Sequence, residues 1–286
     1  MDKYIFALGY FDGVHLGHQA LLTQCKKLAQ GKKWGAVTFL GHPDELLKGI
    51  RPGLINQNAD RDRLLQIFGA EKIVHLSFDK KLMNTPWDSF LDMLVTDHGA
   101  EGFVCGSDFH FGAQGAGTAA LLQTYCTEHN LQCAIVPQQM LDGQRISSTC
   151  IRSLLEQGDV EKANRLLGHP HTLWGVVEQG KQLGRTIGVP TANIGYSAEL
   201  VKLPYGVYEC NVTVEKCSYK AITNVGKCPT VSGQKLTVES HLLGFDGDLY
   251  GKTVQVEFLR FLRPEQKFDS LQALQNQIAQ DIKSIL

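Results

Sequence analysis

Apolar positions in the first half of this 286-residue chain recur with two periods in turn. "YIFAL" (4–8) is a short unbroken apolar run of strand type, and "GHQALLTQCKKLAQG" then places Leu21, Cys25 and Leu28 at helical spacing, with Gly31 as the stop. "GAVTFL", "KIVHLSF", "EGFVCG" and "CAIVPQ" read as further strands. Between them "ADRDRLLQIFG", "PWDSFLDMLVTDHG" and "TAALLQTYCTEHN" read as helices, and Pro86 suits a first helical turn. Such alternation predicts a doubly wound, Rossmann-like parallel sheet with helices on both faces and ligands at the carboxyl ends of its strands. One more helical segment, "STCIRSLLEQGDVEKANRLLG", closes this half, and "HPH" (169–171) reads as a linker. The expected domains are therefore 1–168 and 169–286.

Past the linker the period changes to two. "LWGVVEQG", "YGVYECNVTVEK", "SYKAITNVG", "KLTVESHLLGF" and "KTVQVEFLRFL" are alternating, β-branched and aromatic stretches cut by glycine-bearing turns, which predicts a small antiparallel β-barrel. The tail places Leu271, Leu274, Ile278, Ile282 and Ile285 on one face of a terminal helix expected to pack on that barrel. The fold class is thus α/β plus β.

Composition narrows the function. With 28 Lys+Arg against 29 Asp+Glu the net charge is -1, so the basic excess of a nucleic-acid binder is missing. No apolar run approaches the ~20 residues that span a bilayer, and the N-terminus has no signal-peptide core. Eight cysteines are scattered without a C-x-x-C pair, as reduced thiols of a cytosolic protein are. Oligomeric state is not legible.

The densest chemistry lies where the first strand becomes a helix, in "GYFDGVHLGHQALL" (9–22). His15 and His18 admit three readings: metal ligation, packing, or phosphate binding. A metal site needs a third ligand and an orienting second shell, and neither occurs at a recognisable spacing. Packing leaves the glycines unexplained. Phosphate binding explains the whole stretch: Gly9, Gly13 and Gly17 permit a tight turn and close backbone approach, the helix N-terminus points free N–H groups at an anion, and imidazole donors strengthen as charge develops in phosphoryl transfer. "ISSTCIR" (146–152) opens another helix with hydroxyls and sets Arg152 one turn on, either an ordinary capped helix or a second polyphosphate clamp. Two decoys fail. "GDLYGKT" lacks the Walker A glycine, because residue 246 is Asp246, and "GAGTAA" (115–120) does not open the fold.

With "GSDFHFG", "GRTIGVPTANI" and "VESHLLGFDGDLYG" added, the chain resembles, in order and over nearly its full length, the bacterial bifunctional riboflavin kinase/FMN adenylyltransferases, or FAD synthetases. The resemblance implies a two-step enzyme: ATP and riboflavin give FMN in the barrel, and ATP and FMN give FAD and pyrophosphate in the α/β domain. It implies an adenylyltransferase ATP site of Gly9, Phe11, Asp12, Gly13, His15, Gly17, His18, Asp108, Ser147, Ser148, Thr149 and Arg152, with His15 and His18 catalytic. For the kinase it implies nucleotide binding by Gly184, Arg185, Gly188, Pro190, Thr191 and Asn193. Thr191 and Asn193 would hold Mg2+ with nucleotide phosphate, and Glu239 would be the base for the riboflavin hydroxyl. A carboxylate is the expected base for a primary alcohol, and strand alternation puts Glu239 on a face with Thr237 and His241. The expected partners are the small molecules ATP, riboflavin and FMN, with no nucleic acid and no membrane. Two departures fall in the adenylyltransferase half: Gly41 replaces a proline before His42, and His110 replaces an arginine. The alternatives are a kinase whose N-terminal half is inactive or adenylylates another phosphate acceptor, and a flavin-sensing protein without turnover.

Overall fold

A computed structural model describes residues 2–179, 189–230 and 233–286. Two compact units result, one of residues 1–52 and 57–148, the other of residues 53–56 and 149–286.

The first unit is built on β1 (Tyr4–Leu8), β2 (Trp34–Leu40), β3 (Lys72–Ser77), β4 (Ala100–Gly106) and β7 (Gln132–Val136), all parallel in the order β3-β2-β1-β4-β7. Between them run α1 (Leu16–Ala29), α2 (Pro43–Lys48), α3 (Asn58–Ile67), α4 (Lys80–Met83), α5 (Trp87–His98) and α6 (Ala119–Glu128). Strand alternation sends Phe6 and Leu8 to one face, where Phe90, Leu91 and Leu94 of α5 and Leu122 of α6 complete a dry core. On α1, Leu21, Leu22 and Cys25 are buried, and the Cys25 thiol donates to the Ile5 carbonyl at 3.3 Å. Two short hairpins, β5 (His110–Phe111) with β6 (Gly117–Thr118) and β8 (Met140–Leu141) with β9 (Gln144–Arg145), come after the carboxyl ends of β4 and β7. Strand order reverses beside β1, so the crevice between the ends of β1 and β4 is the switch point where doubly wound sheets bind ligands.

The second unit begins with α7 (Ser148–Gln157), whose first residue still belongs to the first unit, and α8 (Val160–Leu167). The sequence pattern reads these as one helix. Gly158 at φ 81° ends the first, and the Asp159 side chain caps the second by accepting from the Lys162 N–H. The barrel comprises β10 (His171–Val176), β11 (Ala192–Gly195), β12 (Gly206–Val214), β13 (Cys217–Thr230), β14 (Gly233–Leu242) and β15 (Thr253–Pro264), antiparallel in the order β10-β15-β12-β13-β14-β11. Its ends meet through a bridge between Glu178 and Asn193, and a Cβ on Gly175 would lie 2.8 Å from Ile194, so only glycine allows this closure. The terminal helix α9 (Leu271–Lys283) comes last; Ile278, Ile282 and Ile285 pack on Val207 and Ile222.

Candidate active sites

In the first unit a cavity of about 310 Å³ opens at the switch point. Its walls are the end of β1 (Leu8, Gly9, Tyr10), the start of α1 (His15, Gly17, His18), the end of β4 (Gly106, Asp108), Arg145, and Ser147 and Ser148. The turn from β1 to α1 is more contorted than its glycines predict. Besides Gly13 (φ 82°), Phe11 (φ 59°) and Val14 (φ 39°) are left-handed, and for a β-branched residue that is an outlier. Two hydrogen bonds hold Val14 there, its N–H to the Phe11 carbonyl at 3.1 Å and the Gln19 side chain to its own carbonyl at 2.9 Å.

His15 is the N-cap of α1: its Nδ1 accepts the His18 N–H at 3.2 Å. With Nδ1 an acceptor, the neutral ring carries its proton on Nε2. The two imidazoles stack at 3.6 Å, 12° apart, with Phe11 beside His18 at 5.1 Å. A Cβ on Gly17 would lie 3.1 Å from the His15 ring, and one on Gly9 3.2 Å from that of Phe11. These glycines therefore make room for rings, while Gly13 supplies the backbone turn. Burial, with His15 and Arg61 beside it, pushes His18 well below the usual imidazole range, so it is neutral. Its Nδ1 is buried without a protein partner. The Ser148 hydroxyl donates to the Asp12 carbonyl at 2.9 Å, fixing the serine pair against the turn. Across the cavity Asp108 and Arg145 form an ion pair, and His110 Nδ1 meets the Asp108 carbonyl at 2.9 Å.

The second unit carries two cavities. One of about 210 Å³ is lined by Pro190, Thr191 and Asn193 and by the 245–250 turn with Asp246, Asp248 and Tyr250. The other, about 740 Å³ and more apolar, is lined by Thr191, Asn224, Glu239 and His241 on the barrel and by Phe268, Leu271, Leu274 and Ile278. Thr191 borders both. Glu239 lies opposite Asn193 on one neighbouring strand and opposite Asn224 on the other. Its carboxylate accepts from the Thr237 hydroxyl at 3.4 Å, and His241 Nδ1 meets the Pro190 carbonyl at 2.8 Å. The Asn193 amide nitrogen donates to the Thr191 carbonyl at 3.2 Å and to its hydroxyl at 3.4 Å, which turns Asn193 Oδ1 the other way.

Comparison with known proteins closes the question of kinship. Residues 1–150 match the FAD synthetase family, and residues 167–286 match riboflavin kinase. The bifunctional riboflavin kinase/FMN adenylyltransferase of Bacillus subtilis (strain 168) is 33% identical over 286 residues, 98% of this chain and 90% of that one. That of Pseudomonas fluorescens is 35% identical over 97% of this chain and 90% of its own length. The chain belongs to the bifunctional riboflavin kinase/FMN adenylyltransferase family. Its activities are those of the family: riboflavin is phosphorylated to FMN, and FMN is adenylylated to FAD at the expense of ATP. The crystal structure of a macrolide-efflux protein from Streptococcus pneumoniae has the same fold, with a TM-score of 0.87 at 32% identity over 99% of this chain and 94% of that one. No helix among the described residues here is long and apolar enough to cross a membrane.

Set against the residues that the family's motifs select, the adenylyltransferase cavity brings together Gly9, His15, Gly17, His18, Asp108, Ser147 and Ser148. Phe11 and Asp12 are buried in the turn rather than on the cavity wall, and Gly13 lies between them and Val14. Thr149 and Arg152 belong to the second unit, where the Arg152 guanidinium donates to the Thr149 hydroxyl at 3.5 Å. Thr191 and Asn193 share one riboflavin kinase cavity, and Glu239 lines the other. Gly184, Arg185 and Gly188 lie outside the described residues. Arg145 is not singled out by any sequence motif. Its only signal there is a cation directly before "ISST", and its role as the partner of Asp108 appears only once the β8–β9 hairpin folds.

Proposed function

We propose that adenylyl transfer takes place in the cavity between β1, α1 and β4, and riboflavin phosphorylation in the paired cavities of the barrel. In the barrel the apolar cavity under α9 takes the isoalloxazine ring, and the smaller cavity by the 245–250 turn takes the nucleotide. The observation that carries this reading is that Thr191 borders both cavities while Glu239 stands in register with Asn193. A hydroxyl at the mouth of the flavin cavity would thus meet carboxylate and phosphate together. Glu239 takes the proton of the riboflavin 5′-hydroxyl as its oxygen bonds to the γ-phosphorus, and ADP leaves.

Mg2+ fits the donor set at Thr191 and Asn193. Both offer hard neutral oxygens, so the cation's charge is balanced by nucleotide phosphate rather than by protein carboxylates. Bound there, it neutralises phosphate charge. Pro190 precedes β11, and the family's motif adds Gly184, Arg185 and Gly188 to the nucleotide-binding set.

In the first unit an oxygen of the FMN phosphate attacks the α-phosphorus of ATP, and pyrophosphate leaves. FMN phosphate is already anionic, so no base is needed and the work is positioning and charge stabilisation. His15, neutral His18 and the hydroxyls of Ser147 and Ser148 serve the triphosphate; the family's motif also selects Thr149 and Arg152. Gly9, Phe11, Asp12, Gly13 and Gly17 form its cradle, and Asp108 orients Arg145 at the rim. The same reading places the enzyme in the cytosol, in keeping with the seven free cysteines among the described residues.

Glu239→Gln tests the barrel assignment. It keeps size and hydrogen bonding but cannot accept the proton, so FMN formation falls by roughly 10²–10⁴ while FMN supplied directly still becomes FAD. Riboflavin phosphorylation near the wild-type rate would remove Glu239 from the mechanism.

A further inference from the structure

Arg61, on α3, is the largest fully buried side chain among the described residues, at 1% exposure. Its guanidinium donates from Nη1 to the Tyr10 carbonyl and from Nη2 to the Phe39 carbonyl, each at 3.2 Å, and stacks 5.2 Å from the Tyr10 ring centre. The carboxylates flanking it in sequence are engaged elsewhere, Asp60 with Arg63 at 3.1 Å and Asp62 with His75 at 2.9 Å. Among the described residues no ion pair reaches Arg61, and its Nε is buried without a partner. A guanidinium removed from water and hydrogen-bonded only to neutral carbonyls, with Asp12 and Asp62 acting on it through space rather than in ion pairs, costs several kcal/mol. Tertiary packing alone does not require such an arrangement, since a methionine would fill the space.

The location explains the charge. Tyr10 and Phe39 mark the carboxyl ends of β1 and β2, and Tyr10 also lines the cavity that holds His15 and His18. The Tyr10 carbonyl accepts from the Thr38 hydroxyl at 2.9 Å as well, so two donors pull it toward Arg61. Across that planar trans peptide the Phe11 N–H points the opposite way, which fixes the entry to the left-handed turn. We propose that Arg61 is a positioning residue for adenylyl transfer: its guanidinium anchors the turn that carries His15 and His18, and its charge, in no ion pair with a carboxylate, is further balanced by the triphosphate of bound ATP. This rests on the assignment of adenylyl transfer to that cavity.

The test compares Arg61→Met, Arg61→Lys and His18→Ala in the full chain. Each is assayed for FAD formation from FMN at varied ATP and, in the same preparation, for FMN formation from riboflavin. Arg61→Met should raise the KM for ATP in adenylyl transfer by roughly 10- to 100-fold, the size expected when one charge is lost near a polyanion in a partly desolvated site. Arg61→Lys, which retains the charge, should recover most of that loss, and riboflavin phosphorylation should be unchanged in both. Thermal unfolding without ligand should not fall in Arg61→Met, whereas ATP should stabilise it less than the wild type. An unchanged KM in Arg61→Met, or equal impairment of the Lys and Met variants, would overturn the proposal. A His18→Ala protein that makes FAD from FMN at the wild-type rate would instead overturn the cavity assignment itself.

Discussion

At the scale of single residues, the H-x-G-H turn stacks two imidazoles in the wall of the cavity. His15 spends Nδ1 on capping α1, and His18 is kept neutral by burial, so under the proposed function each serves as a fixed donor or dipole. His18→Ala should lower FAD formation by about 10²–10³, the usual effect of losing one oxyanion donor, while FMN formation continues. Equal loss of both activities in folded protein would make His18 structural. The histidines and glycines of this turn are legible in sequence because their chemistry is explicit. The left-handed Phe11 and Val14 are not, because ring packing and the Gln19 hydrogen bond impose their backbone angles against local preference.

A second residue makes stability depend on pH. His171 is 1% exposed against Phe258, both ring nitrogens lack protein partners, and burial lowers its pKa to about 3. Between pH 6.5 and about 3 the unfolded chain binds a proton here that the folded chain does not. The contribution of this site to stability is therefore complete above pH 6.5 and is lost as pH falls toward 3. Urea midpoints measured from pH 7 to pH 4 should drop less in His171→Leu than in the wild type. Parallel curves for the two proteins would show that this imidazole does not bear on acid stability.

At the scale of elements, periodicity reveals the longer elements, whereas β11, α2, α4 and the two short hairpins are too short to carry a period of their own. The parallel strands and their longer helices are legible because each buries a face whose spacing is set by its own geometry, and five of the six barrel strands because they alternate. The division of the helical segment after Ser148 is not. Gly158 lies in an unbroken helical pattern, and the break depends on Asp159 capping α8 and on the Gly158 backbone lying near Pro204. Helix α8 carries the link that orients the barrel's first strand. Asn164 donates to the Phe258 carbonyl at 2.8 Å and accepts the His171 N–H at 2.7 Å. Asn164→Ala leaves both backbone groups without this partner and should destabilise the second unit by about 1–3 kcal/mol. A thermal midpoint within error of wild type would mean that water replaces the amide at no cost.

For the whole molecule, helix α8 is tied to β10 and β15. A fragment from Thr149 to Leu286 should therefore fold and phosphorylate riboflavin more robustly than one starting at His169, which lacks the Asn164 bonds; equal stability of the two fragments would count against the role given to α8. The central claim is that one chain holds two separable active sites, and complementation by mixing tests it most directly. Supplied with riboflavin, ATP and Mg2+, neither Glu239→Gln nor His18→Ala protein alone should yield appreciable FAD. An equimolar mixture should yield it, because FMN released by the His18→Ala protein is a substrate for the Glu239→Gln protein. FAD from riboflavin at the wild-type rate in either variant alone, or a mixture that accumulates FMN without FAD, would contradict the account.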